Sequence, residues 1–172
     1  MKNAVKIMMF AFTAFGFTVN SYSQVSETAD ASATIIAPIA ILKTGDMNFG
    51  NIAVSASDGT VILAHDGTRT KTGGVTLPAS VGVVSAASFT VTGEAGFTYS
   101  ITLPSTATTI DDNIGHTMTV DNFSCNYSPG NIATFTGGTS TLNVGATLNV
   151  TGSQTAGSYS SDTPFDVTVN YN

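Results

Sequence analysis

The first clear signal along the chain is alternation. From Ala29 to Ile41 every odd position is apolar: Ala29, Ala31, Ala33, Ile35, Ala37, Ile39 and Ile41. A period of two marks a strand with one face in a core and the other toward water. Pro38 falls on the opposite parity. Proline has no N–H to give to a ladder, so it predicts an edge, or a break at which this strand changes partner.

The same period recurs at Val61 and Leu63, at Phe89 and Val91, and at Phe97, Tyr99, Ile101 and Leu103. Met118 and Val120 mark a shorter strand. Leu142, Val144, Ala146, Leu148 and Val150 form a long one, and Phe165, Val167, Val169 and Tyr171 close the chain. Gly93-Glu94-Ala95-Gly96 separates two of these runs and predicts a hairpin connection. No helical segment is visible. Eight or nine short strands with Gly-rich or Pro-containing turns predict an all-β fold, an antiparallel sandwich. The last strand is expected to be core-facing and to lie beside the first, from Ala31 to Ile41, so that the sandwich closes on itself.

Composition strengthens that reading. The 172 residues include 28 Thr but only 2 Glu, 4 Lys, 1 Arg and 2 Gln, too few to cover the solvent faces of a helical bundle. The chain carries 11 acidic and 5 basic side chains, a charge of −6, with no basic stretch to neutralise phosphates. A nucleic-acid partner is therefore excluded.

The N-terminus changes the expected compartment. Lys2 and Lys6 precede a mostly apolar stretch of 13 residues, Ile7 to Val19, which is shorter than the ~20 residues of a membrane-spanning helix. Ser21-Tyr22-Ser23 places small residues where a signal peptidase reads. Residues 1–23 are thus expected to be a cleaved signal peptide and residues 24–172 a single secreted domain, with no membrane span in the mature chain. Only Lys43, Arg69 and Lys71 remain to oppose the 11 acids, giving a mature charge of −8. Cys125 is the sole cysteine, which forbids an intrachain disulfide and reads as a small buried side chain.

Candidate chemistry is sparse. The chain contains no G-x-S-x-G, H-E-x-x-H, C-x-x-C, Walker or G-x-G-x-x-G motif, and His65 and His116 are its only imidazoles. His65 beside Asp66 would point to opposite faces of a strand, which argues against a relay. Asp111-Asp112-Asn113 supplies oxygen ligands without the spacing of a calcium loop and reads as a solvated turn. Arg69 and Lys71 flank Thr70 in a Gly-bounded segment. They could hold an anionic glycan, or protect the edge of a hairpin with their charges. No catalytic, metal or cofactor site is expected, and no cofactor.

Several segments then carry a family resemblance. They are Met47-Asn48-Phe49-Gly50, Thr72-Gly73-Gly74-Val75, Ser100-Ile101-Thr102-Leu103-Pro104, Met118 to Phe123, Val144 to Leu148, and Phe165 to Tyr171. In this order they resemble the secreted bacterial family labelled domain of unknown function 4402. That family is similar in turn to the spore-coat U and chaperone-usher pilin groups. The resemblance implies an immunoglobulin-like sandwich used in surface fibres or coats, with no catalytic residues to carry over. The chain lacks the spore-coat cysteines, and its leader, Gln24 to Asp30, has only Val25 and Ala29 as apolar residues. A secreted, non-enzymatic fimbrial or coat-like subunit is the expected function, with a monomeric glycan-binding module as the alternative. Partners would be copies of itself or other surface subunits through strand pairing, or a surface glycan. The interaction residues would be Arg69 and Lys71, or Phe165, Val167, Val169 and Tyr171 of the final strand.

Overall fold

A computed structural model describes residues 23–172. The expected signal peptide, except for Ser23, lies outside the described residues. Ser23–Thr34 belongs to a separate unit and forms no strand, while Ile35–Asn172 forms the sandwich.

Ten strands follow in order: β1 (Ala40–Gly45), β2 (Ala53–Leu63), β3 (Arg69–Thr76), β4 (Ala87–Thr92), β5 (Thr98–Thr102), β6 (Thr108–Asp111), β7 (Thr117–Cys125), β8 (Ile132–Thr134), β9 (Thr139–Val150) and β10 (Thr168–Tyr171). Every pairing between them is antiparallel. The all-β antiparallel sandwich expected from the sequence is therefore the fold. The count exceeds eight or nine because β6 and β8, four and three residues long, are too short to show a period.

One seven-stranded sheet is built around β9. Ala87 of β4 and Cys125 of β7 both pair with Val144, while Val61 of β2 and Val120 of β7 both pair with Leu148. β9 therefore gives one whole edge to β7 and divides the other between β4 and β2. Gly145 sits where that edge changes hands, and a Cβ there would come within 2.2 Å of the Leu63 carbonyl oxygen. Its even positions from Ser140 to Val150 are all buried. The opposing sheet has only three strands, in the order β10-β5-β8.

That inequality divides the core. Tyr99, Ile101, Ala133, Phe135 and Val169 pack on Ala87, Val91, Leu142 and Val144, and the Tyr99 and Phe135 rings stack at 4.5 Å. Beyond the reach of the small sheet, Val61, Val75, Val120, Leu148 and Val150 are covered by Met47, Phe49, Ile52 and Leu77 from connecting segments. Phe123 packs against both clusters, next to a bulge in β7 where Asn122 takes a φ of 50°.

Two expectations fail in informative ways. The strand predicted over Ala29–Ile41 begins only at Ala40; Ile39 and Ile41 pack on the core, but Ile35 is 97% exposed. Alanine offers too little apolar area to hold the earlier residues down. The Gly93–Gly96 segment is not a hairpin, because it carries the chain from β4 in the large sheet to β5 in the small one. Gly93 lies against the facing sheet, where a Cβ would meet the Phe135 ring and the Tyr171 hydroxyl, each at 2.5 Å. Gly-rich composition supports an arch between layers as readily as a turn within one.

Candidate functional site

Arg69 and Lys71 lie on β3, an outer strand of the large sheet, and pair with Leu63 and Val61. Both basic side chains therefore start on the core side of the sheet. Arg69 Nη1 donates to the Phe49 carbonyl and, at 3.2 Å, to the Asn51 carbonyl. It fastens the segment that covers the second cluster. An inward charge at a sheet edge also opposes further pairing there, and Lys71 stands on the same face. The two residues belong to one strand, yet Arg69 is taken up by the backbone rather than held ready for an anion.

Phe165, Val167, Val169 and Tyr171 all pack on the first core cluster. Val169 and Tyr171 belong to β10, and Phe165 and Val167 precede it. β10 pairs with β5 alone and β1 pairs with β4 alone, so the expected closure of the last strand on the first does not form. A single side-chain bond links these regions: the Tyr171 hydroxyl donates to the Ala37 carbonyl at 2.8 Å while accepting from the Glu94 amide at 2.6 Å. β10 is uncharged and without a bulge. β1 carries the Lys43–Asp46 ion pair and a register shift at Lys43/Gly45.

The remaining candidates are separated. His65 and Asp66 lie in the turn between β2 and β3, where Asp66 accepts from the amide and hydroxyl of Thr68. Those bonds hold its carboxyl below the usual range. The Asp111–Asn113 group is a capped turn: Asp111 accepts from the Asn113 amide, and Asp112 from the amides of Ile114 and His116. Sequence reasoning missed that Asp112 also meets His116 Nδ1 at 2.5 Å, a contact that the turn alone creates. Burial raises the Asp112 carboxyl, but its hydrogen bonds outweigh that and leave it lowered. Among the described residues no group of three or more His, Cys, Asp or Glu could hold a metal ion. Cys125 is buried, as expected, with Sγ near Ser128 and Asn131.

One buried polar chain lies inside the sandwich. The Tyr99 hydroxyl donates to Ser140 Oγ at 2.9 Å, and Ser140 Oγ meets the Tyr127 hydroxyl at 2.7 Å. Burial pushes the Tyr99 phenol up, partly offset by its bond to Ser140.

The outer face of the large sheet was not legible in advance. Register brings Thr72, Thr60, Asn149, Thr119 and Thr109 into one row across five strands. Each is an unremarked polar position in its own strand.

A family model described as "Domain of unknown function (DUF4402)" matches residues 39–171. No curated protein and no solved structure matches the chain. Among the described residues no helix is long and apolar enough to cross a membrane.

Proposed function

We propose that this chain, which belongs to the DUF4402 family, is an exported, non-enzymatic structural subunit of the bacterial surface, fimbrial or coat-like, that associates with further copies by strand pairing. The reading is carried by the coexistence of a strand-patterned segment without a partner and a sheet edge without protection. Ala29–Ile39 keeps the alternation of a strand but forms no ladder. β10 leaves one side of its backbone unpaired. The other edges are blunted or short: β3 carries Arg69 and Lys71, β1 its bulge and ion pair, β6 the bridge from Asp111 to Ser160, and β8, the opposite edge of the small sheet, is only three residues long.

An extended segment added along β10 would satisfy main-chain groups on both sides, which is where strand addition obtains most of its affinity. Of the two large apolar side chains on the odd face of the segment, Ile39 is taken up by the core and Ile35 is free to dock on a neighbour. The small-residue leader then limits affinity rather than forbidding pairing. A kinship of the family with the spore-coat and pilin groups, as the sequence resemblance implies, is part of this proposal and would place the subunit at or outside the cell surface.

The test is light scattering coupled to size-exclusion chromatography across a concentration series. Residues 24–172 should form concentration-dependent oligomers. Deleting Gln24–Thr34 should abolish them and leave the thermal transition of the monomer unchanged. A wild-type protein that stays monomeric throughout would refute the assembly reading.

A further inference from the structure

We propose a binding groove for a neutral sugar on the outer face of the large sheet, distinct from the β10 edge. The groove has a volume of about 540 Å³ and is lined by Asp58, Thr60, Thr72, Thr119, Asn149 and Thr151 among others.

Its floor is set by the fold. Thr60 Oγ1 and Thr72 Oγ1 meet at 2.7 Å, and Asn149 Nδ2 points to Thr119 Oγ1 at 3.4 Å. Asn149 Oδ1 accepts no hydrogen bond among the described residues. Neighbouring strands lie about 4.8 Å apart, so the row presents hydroxyl and amide groups at regular intervals on a rigid sheet. Asp58 is held as well: its Oδ1 accepts from the Gly152 amide at 2.7 Å, which orients an exposed carboxyl group beside the row. Gly73, at a φ of 63°, lets β3 approach the Asp58 carbonyl, where a Cβ would lie 2.3 Å away.

The chemistry selects the ligand class. A carboxyl group accepts hydrogen bonds from adjacent sugar hydroxyls, while threonine hydroxyls and an asparagine amide both donate and accept. No cation lines the groove, because Lys71 pairs with buried Val61 and so belongs to the opposite face. Sulfated or phosphorylated ligands are therefore disfavoured. A peptide strand has no ladder to join: Thr60 pairs with Thr72 and Asn149, and Asn149 pairs also with Thr119, so both edges of β2 and β9 are taken here. No aromatic ring lines the groove, so affinity rests on hydrogen bonds. For one sugar ring of about a dozen non-hydrogen atoms, the dissociation constant should be on the order of 1 mM.

The experiment is an amide NMR titration of the mature protein with maltohexaose, cellohexaose and mannohexaose in turn, and with dextran sulfate as the anionic probe. At least one neutral hexaose should give saturable shifts at Thr60, Thr119, Asn149 and Gly152. Asp58→Asn, which keeps the acceptor for the Gly152 amide, should weaken binding at least tenfold. Thr60→Val should weaken it similarly, and Lys71→Gln should leave it unchanged; the thermal transition of each variant confirms folding. The site is refuted by no saturable shift with any hexaose tenfold above the expected constant, by full affinity in both groove variants, or by binding of dextran sulfate alone. None of these outcomes depends on oligomer formation.

Discussion

β9 and the segment Ala29–Ile41 carry the same sequence signature with opposite fates. Both set apolar residues at nearly every second position for about a dozen residues. β9 became the central strand, with β4 and β2 on one side, β7 on the other and every even side chain buried. In the earlier segment, only Ile39 and Ile41 reached the core, and only Ala40–Gly45 found a partner. The difference lies in side-chain volume. Leu142, Val144, Leu148 and Val150 each remove far more apolar area from water than Ala29, Ala31 or Ala33. Alternation states which face a strand would bury, but area decides whether burial outweighs the entropy of ordering the chain.

The most severe test of this contrast removes a real core strand. Truncation after Pro164 deletes Phe165, Val167, Val169 and Tyr171, each worth about 1.5–3 kcal/mol if fully buried, from a domain whose total stability is typically about 5–15 kcal/mol. No cooperative thermal transition should remain, as judged by circular dichroism. Next in size, Leu148→Ala should lower unfolding free energy by about 2–5 kcal/mol in a denaturant titration. A loss below ~1 kcal/mol would show that β9 is not the packing centre. Tyr99→Phe removes one donor from the Tyr99–Ser140–Tyr127 chain and should cost about 0.5–1.5 kcal/mol.

A smaller effect should follow pH. The Asp112 and Asp66 carboxyls are lowered in the folded protein, so the folded state binds their protons less tightly than the unfolded chain. Their stabilisation is present above the unfolded value near 3.9 and is lost as pH falls through the folded values. Melting temperatures recorded from pH 6 to pH 2 should decline below about pH 4. The decline should be shallower in Asp112→Asn. The smallest effect is expected in the leader: Ala33→Pro should leave monomer stability within ~0.5 kcal/mol, because that residue is exposed and makes no ladder bond. The same substitution should reduce oligomers, since proline removes a donor from any intermolecular ladder.

Particular residues show how far the chain could be read unaided. Leu142 to Val150 announced both a strand and its buried face, because a two-residue period leaves no other choice of side. Cys125 read correctly as a buried small side chain. Arg69 was legible as an edge charge but not as the clamp on the Phe49 and Asn51 carbonyls, since those partners lie 20 and 18 positions away. The Asp112–His116 contact needed the folded turn. The groove at Asp58, Thr60, Asn149 and Thr119 gave no local signal at all, because Thr and Asn at alternate strand positions are the ordinary dress of a solvent face.

By itself the sequence determined the class of structure. Scarcity of helix-covering residues, an abundance of Thr and repeated period-two runs require strands whose apolar faces must be covered by a second layer. It also determined which face of each strand would turn inward if buried, because strand geometry assigns alternate residues to opposite faces, but not whether burial would follow, as exposed Ile35 shows. Tertiary structure decided the partners. The Gly93–Gly96 segment could turn within a sheet or arch between sheets, and only packing against Phe135 and Tyr171 selected the arch. Likewise β10 stopped at β5 rather than reaching β1, leaving an edge that no single strand could reveal. Pairing depends on the free energy of bringing distant segments together and on which edges other strands have already taken, and neither quantity is written in any one stretch of chain.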